Sequence, residues 1–111
     1  MAESFKLKNA TLTTAAIASQ NIYTCPANTT AIIFLGQIAN IDGTNAAAFS
    51  VTATDSSAAA TKHLAFTIPV PADSATTFLT GKLVLEANDY ISANANANSH
   101  IDITVSVLEI T

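Results

Sequence analysis

The sequence predicts an all-β protein: a single antiparallel β-sandwich, immunoglobulin-like or jelly-roll in plan. Three observations carry this. Apolar and polar residues alternate with period two in short runs, as in Phe49-Ser50-Val51-Thr52-Ala53-Thr54, the spacing at which side chains point to opposite faces of a strand. Turn residues such as Pro26-Ala27-Asn28, Asp42-Gly43-Thr44-Asn45 and Ala87-Asn88-Asp89 punctuate those runs at regular intervals. No helical period is sustained anywhere. With 111 residues the chain has the length of one domain, read as an N-terminal arm or edge segment over 1–20 and a β-sandwich over 21–111.

Taken in order, Phe5-Lys6-Leu7-Lys8 alternates apolar and basic residues as an edge strand or extended arm does. Thr13 to Ser19 is Ala-rich and reads as loop, and Asn21 to Cys25 as a short strand ended by Pro26. Thr30 to Ile41 is the longest strand candidate. Ile32, Phe34 and Ile38 share one of its faces and Ile33, Leu35, Ala39 and Ile41 the other. Both faces are apolar; a sandwich covers one, so the other needs a different cover. Phe49, Val51 and Ala53 mark a half-buried strand with Ser50, Thr52 and Thr54 outward, and Asp55 to Ala60 is a loop of small and polar residues. Leu64, Phe66 and Ile68 alternate with His63, Ala65 and Thr67 until Pro69 and Pro71, which lack the N–H for a ladder bond and are expected to end the strand.

Thr76 to Leu79 and Lys82 to Glu86 read as consecutive antiparallel strands joined near Gly81. Ile91, Ala93 and Ala95 mark the next strand, and Asn94 to Asn98 a loop. In the last strand, His100 to Ile110, the residues Ile101, Ile103, Val105 and Val107 share a face, whereas Leu108 and Ile110 fall on the opposite one. Either a bulge near Val107 restores the register, or these two aliphatics are left for a partner's surface.

Composition narrows the function classes. Only 11% of residues are charged, the net charge is −4 and all four cations are lysines. Such a chain neutralises few phosphates, so no nucleic-acid partner is expected. Nor is a membrane partner: there is no polybasic anchor, and no apolar run approaches the roughly 20 residues of a membrane span. The N-terminus lacks the apolar stretch of a signal peptide, which predicts a protein made in the cytoplasm. A weakly charged surface favours interfaces, and a homo-oligomer, with a trimer favoured, is the expected state.

Cys25 is the one cysteine, so no intrachain disulfide forms; it is read as a small buried hydrophobe. His63 and His100 have no partner at metal-ligand spacing and read as solvated strand residues. Asp42-Gly43-Thr44-Asn45 begins like a calcium loop but lacks the later ligands, and an Asp-Gly turn accounts for it. Tyr23 and Tyr90 suit half-core or interface positions better than a sugar platform. With no nucleophile elbow, phosphate-binding Gly loop or Cys-His pair, no catalytic residue, cofactor or metal is expected, and the protein is not expected to be an enzyme.

A series of segments, in order, carries a family resemblance: Ile22-Tyr23-Thr24-Cys25-Pro26-Ala27, Thr30-Ala31-Ile32-Ile33, Ala39-Asn40-Ile41-Asp42-Gly43, Thr54-Asp55-Ser56-Ser57, Ile68-Pro69-Val70-Pro71-Ala72, Gly81-Lys82-Leu83-Val84-Leu85-Glu86-Ala87 and Val107-Leu108-Glu109-Ile110. The order resembles small virion structural proteins of tailed bacteriophages, particularly those of marine and freshwater bacteria. Relatives commonly carry Gly where this chain has Asn28 and Asn88, and Asn tolerates a left-handed backbone better than most residues. The resemblance implies a non-enzymatic sandwich in the virion, on the capsid surface or the tail; a capsid-decoration or cement-type subunit beside major capsid or tail proteins is the leading expectation. A tail, collar or fibre subunit touching host glycan is the alternative. The residues expected at its interface are Phe5, Leu7, Ile33, Leu35, Leu108 and Ile110.

Overall fold

Period-two alternation is realised along most of the chain. The computed structural model describes residues 2–79 and 81–111. Its elements are β1 Glu3–Thr11, a 3-10 turn Ile17–Ser19, β2 Asn21–Thr24, β3 Thr30–Asn40, β4 Ala47–Asp55, β5 Ala60–Val70, β6 Ala75–Thr77, β7 Leu83–Leu85, β8 Tyr90–Ala95 and β9 Ile101–Ile110. All strand pairs are antiparallel. One sheet runs β1-β9-β3-β6, with β7 also pairing β3, and the other runs β2-β8-β4-β5. The first and last strands lie side by side, and the chain repeatedly crosses from one sheet to the other. That connectivity makes the all-β sandwich a jelly roll rather than an immunoglobulin-like fold.

The core lies between the sheets. Ile33, Ile38, Ile101, Ile103, Val105 and Val107 enter from one side and Phe49, Val51 and Ile91 from the other, all at 0–2% exposure. The Ala content thins this core as expected: Ala31, Ala47, Ala93 and Ala95 are also buried, each contributing little area. β1 pairs with β9 from Glu3↔Ile110 to Thr11↔Asp102, so the N-terminal segment is an edge strand of the sandwich. Directly after it, Leu12 is fully buried.

Four expectations are corrected. The segments around Gly81 do not form a hairpin. β6 pairs with Gln37–Ala39 and β7 with Ala31–Ile33, so both lie end to end along the same side of β3; position 80 of their junction is outside the described residues. Between them Phe78 turns inward against Gly36, where an added Cβ would sit 2.6 Å from the ring. β5 continues through Pro69, opposite Ala48; the strand is a sheet edge, where a missing N–H donor leaves no ladder bond unmade. β8 ends at Ala95, as the Ile91-Ala93-Ala95 alternation predicts, so the loop starts after Ala95 and not at Asn94. Finally, the parity of β3 changes within the strand. Ile33 pairs with Val107, but Leu35 pairs with Ser106, so a bulge at Phe34-Leu35 places Ile33 and Ile38 on the same, inward face.

β9 has continuous pairing with β1 and no bulge near Val107. Its odd-numbered residues, including Glu109, face inward and are buried, while Leu108 and Ile110 face outward.

Candidate assembly interface

Antiparallel partners directly opposite one another present their side chains on the same face. Phe5 pairs with Leu108, Leu108 with Ile32, and Ile32 with Val84. This register draws an apolar row across four strands on the outer face of the β1-β9-β3-β7 sheet. Leu7, Ser106 and Leu35 form the neighbouring row. Phe34 closes the gap: its ring meets that of Phe5 edge-on at a centroid distance of 6.0 Å. Phe5 is 74%, Leu7 62% and Val84 58% exposed, and Phe34 and Leu35 43% each. Large apolar residues gathered this way form a patch rather than scattered surface hydrophobes.

Of the six residues expected at an interface, Phe5, Leu7 and Leu35 are exposed on this face, and Leu108 and Ile110 are half-buried on it. Ile33 does not belong to it. The residue is completely buried, because the Phe34-Leu35 bulge reverses the alternation that would have grouped it with Leu35. Ile32, Phe34 and Val84 take its place. The signal for this was Gly36: a lone Gly inside a strand pattern marks a bulge or a close backbone approach, and here it accompanies both.

The opposite side of β1 is polar. Lys6 reaches under the sheet edge to Glu109, with Nζ 3.1 Å from Oε1. The buried Tyr23 hydroxyl donates to Glu109 Oε2 at 2.5 Å. That hydrogen bond, helped by Lys6, holds the Glu109 carboxyl below its ordinary range. Burial first, and the Glu109 carboxylate second, push the Tyr23 phenol well above its ordinary value. The three side chains thus tie β1, β9 and β2 together at one end of the sandwich. Nothing in the alternation of β9 announced them beyond the position of Glu109, a carboxylate on the face of Ile101 to Val107.

Two acidic turns complete the polar inventory. Asp42 Oδ1 accepts the N–H groups of Thr44 and Asn45 at 2.7 and 2.9 Å, and Oδ2 lies 3.1 Å from His100 Nε2. The turn N–H groups, with a smaller contribution from His100, lower the Asp42 pKa. His100 is therefore half-buried and paired, not simply solvated. Elsewhere Asp55, Glu86 and Asp89 bring one carboxylate oxygen each within 4.8 Å of one another, a convergence the sequence did not suggest. Asp89 accepts from Ser56 N and Glu86 N, and Asp55 Oδ1 from Ser57 N and Oγ. The Ser56–Asp89 bond staples the turn after β4 to the turn before β8, and the others shape each turn. Cys25 is buried, with Sγ 3.2 Å from the Thr29 carbonyl, and burial pushes the thiol pKa up. A buried thiol of this kind is unreactive.

Among known proteins, no family model and no curated protein matches the chain. A solved structure of Bacillus endospore appendages, described as a novel family of disulfide-linked pili, superposes with a TM-score of 0.56 at 13% identity, covering 99% of this chain and 87% of that one. Eiger TNF from S. frugiperda gives a TM-score of 0.46 at 11% identity, covering 95% and 85%. The first likeness is one of fold.

Proposed function

We propose that this chain is a non-enzymatic structural subunit that assembles with copies of itself through the outer face of the β1-β9-β3-β7 sheet. The observation carrying the reading is the band of Phe5, Leu7, Phe34, Leu35 and Val84, five large apolar side chains gathered on one face at 43–74% exposure. Full burial of an exposed side chain of this kind contributes about 1.5–3 kcal/mol, of which each has roughly half or more still to gain, and the band is backed by the half-buried Ile32 and Leu108. A symmetric oligomer, with a trimer favoured, buries such a band in a closed arrangement and leaves no apolar edge.

The segment order from Ile22 to Ile110 resembles that of small tailed-phage virion proteins and supports placing this subunit in a virion; within it, a capsid decoration beside the major capsid protein is the placement proposed. A tail, collar or fibre position is the alternative. Disulfide linkage of the kind described for the Bacillus appendages has no support in this chain, whose one cysteine is buried. Sedimentation analysis of the purified chain against Phe5→Ser/Val84→Ser tests the assembly reading: the wild type is expected as a discrete oligomer and the variant as a folded monomer. A wild type that stays monomeric at tens of micromolar overturns self-assembly through this face. Quantitative mass spectrometry of purified particles then separates a shell component, at high copy number, from a tail component at low copy number. Absence from such particles overturns the virion placement.

A further inference from the structure

The outer face of the β2-β8-β4-β5 sheet holds a cleft of about 330 Å³, with Ile17 of the 3-10 turn at one wall and β5 at the other. Its β5 wall is built by an irregularity. Phe49 pairs with Ile68 and Val51 with Ala65, so Ser50 alone opposes both Phe66 and Thr67. Thr67 has φ 51°, a left-handed conformation that is a true outlier for a β-branched residue. Its N–H is held by Ser50 Oγ at 2.9 Å. In a regular strand two successive residues face opposite ways; here Phe66 and Thr67 line the same cleft. Bulges re-aim side chains in this manner beside functional sites. The result is a Phe66 ring 67% exposed, braced edge-on by His63 at 4.8 Å.

Beside the apolar Ile17, Ala48 and Ala95, the cleft holds a set of amide and hydroxyl groups from Ser50, Asn94 and Asn96. Asn94 Nδ2 donates to the Ala15 carbonyl at 3.2 Å, which orients its Oδ1 as an acceptor. Asn96 Oδ1 accepts from Ala48 N at 2.9 Å, which orients its Nδ2 as a donor. Ser50 retains its hydroxyl proton after accepting from Thr67. No Lys, Asp or Glu lines the cleft and His63 is its one titratable side chain, so a phosphate or carboxylate ligand finds no fixed countercharge there. A purely apolar ligand would bury these amides and the hydroxyl without partners, at a cost in affinity.

We infer that this cleft binds a neutral saccharide, the apolar face of one sugar ring stacking on Phe66 and its hydroxyls meeting Ser50, Asn94 and Asn96. The size is at the lower end for a small-ligand site, enough for a short glycan end rather than a long chain. The site lies on the sheet opposite the assembly band and does not depend on that band being an interface.

The test is a titration of isotope-labelled protein, followed by amide NMR shifts, with lactose, maltotriose, α-mannobiose and chitotriose, each to about 20 mM, a range that detects millimolar affinity. At least one sugar is expected to move the Ser50, Thr67, Asn94 and Asn96 amides in a saturable way. Phe66→Ala is expected to weaken that binding about tenfold, and Phe66→Trp, which restores an aromatic face, to retain it. Should Phe66→Ala lower the melting temperature, Phe66→Leu removes the ring while keeping apolar bulk. Silence from all four sugars overturns the inference. So do shifts that survive loss of the ring, or a response confined to anionic saccharides such as sialyllactose.

Discussion

The two sheets share one core yet turn different chemistry outward. The β1-β9-β3-β7 sheet presents Phe5, Leu7, Phe34, Leu35 and Val84, whereas the β2-β8-β4-β5 sheet presents Ser50, Asn94 and Asn96 around the single ring of Phe66. The inward residues of both are alike, mostly Ile, Val and Ala, so folding alone demands nothing of the outward positions. Water satisfies the amides and hydroxyls of the second face. It does not satisfy the first, where covering the band is favourable by the area argument. A sandwich therefore has two independent surfaces to specialise, and the alternation along each strand is what keeps them apart.

The sharpest way to probe the contrast lies inside β3, where two aliphatics on either side of one bulge belong to different regions. Ile33→Ala removes a fully buried side chain and is expected to cost about 2–5 kcal/mol in denaturant unfolding. Leu35→Ala is expected to cost less than about 1 kcal/mol in the same measurement while weakening self-association in sedimentation. Equal costs at the two positions would show that the bulge does not divide core from interface.

A smaller effect tests what holds the bulge. Gly36→Ala places a Cβ 2.6 Å from the Phe78 ring, overpacking expected to cost about 1–3 kcal/mol. Phe78→Leu is expected to relieve part of it, visible as non-additivity in a double-mutant cycle. Additive losses would mean that ring and glycine act separately.

The polar underside of β1 gives a pH-dependent counterpart. Tyr23→Phe leaves the buried Glu109 without its hydroxyl donor, an expected loss of about 1–2 kcal/mol near neutral pH. Glu109 is shifted downward in the folded state, so its contribution is present above the unfolded carboxyl pKa of about 4.3 and is lost as pH falls through the lower folded value. Tyr23 is shifted upward, so its contribution is full below about pH 10 and is lost as pH rises toward the higher folded value. Melting temperature across pH should show both arms in the wild type, and Tyr23→Phe should shrink the alkaline one, leaving the part that the buried Cys25 thiol, also shifted upward, contributes. An unchanged alkaline arm would place that titration elsewhere.

The smallest effect concerns turns that both faces share. Asn28 and Asn88 adopt φ of 58° and 71°, and Asn88→Gly is expected to change stability by only a few tenths of a kcal/mol. Asn88→Val, which cannot adopt that conformation without strain, should destabilise the fold measurably more in the same thermal melt.

The sequence made some of this legible because the deciding physics is local. A side chain and its backbone angle settle Asn28 and Asn88, and period-two spacing settles the inward run Ile101 to Val107 and the outward Leu108 and Ile110. What failed depends on a second strand. Ile33 looked like a partner of Leu35 until its pairing with Val107 fixed the bulge. Pro69 looked like a strand end because a sheet edge is defined by an absent neighbour. β6 and β7 looked like a hairpin, although each satisfies its ladder with β3. The cleft was missed for the same reason: Ser50, Phe66 and Asn94 meet only once β4, β5 and β8 are aligned, and a bulge set by one strand against another aims the ring.

The apolar band has an unusual authorship, since Phe5 comes from the first strand and its direct partner Leu108 from the last. Closing a loop of that length costs entropy before any contact rewards it, and pairings so distant in sequence form slowly. While a ribosome is still making the chain, β1 has no β9 to lie against, and β3 lacks its central neighbour. The registered apolar row comes into existence only when β9 docks between β1 and β3. Assembly through this face would therefore select chains in which β9 has docked: a chain still lacking that strand has apolar residues to spare, but not the registered row that another copy could recognise.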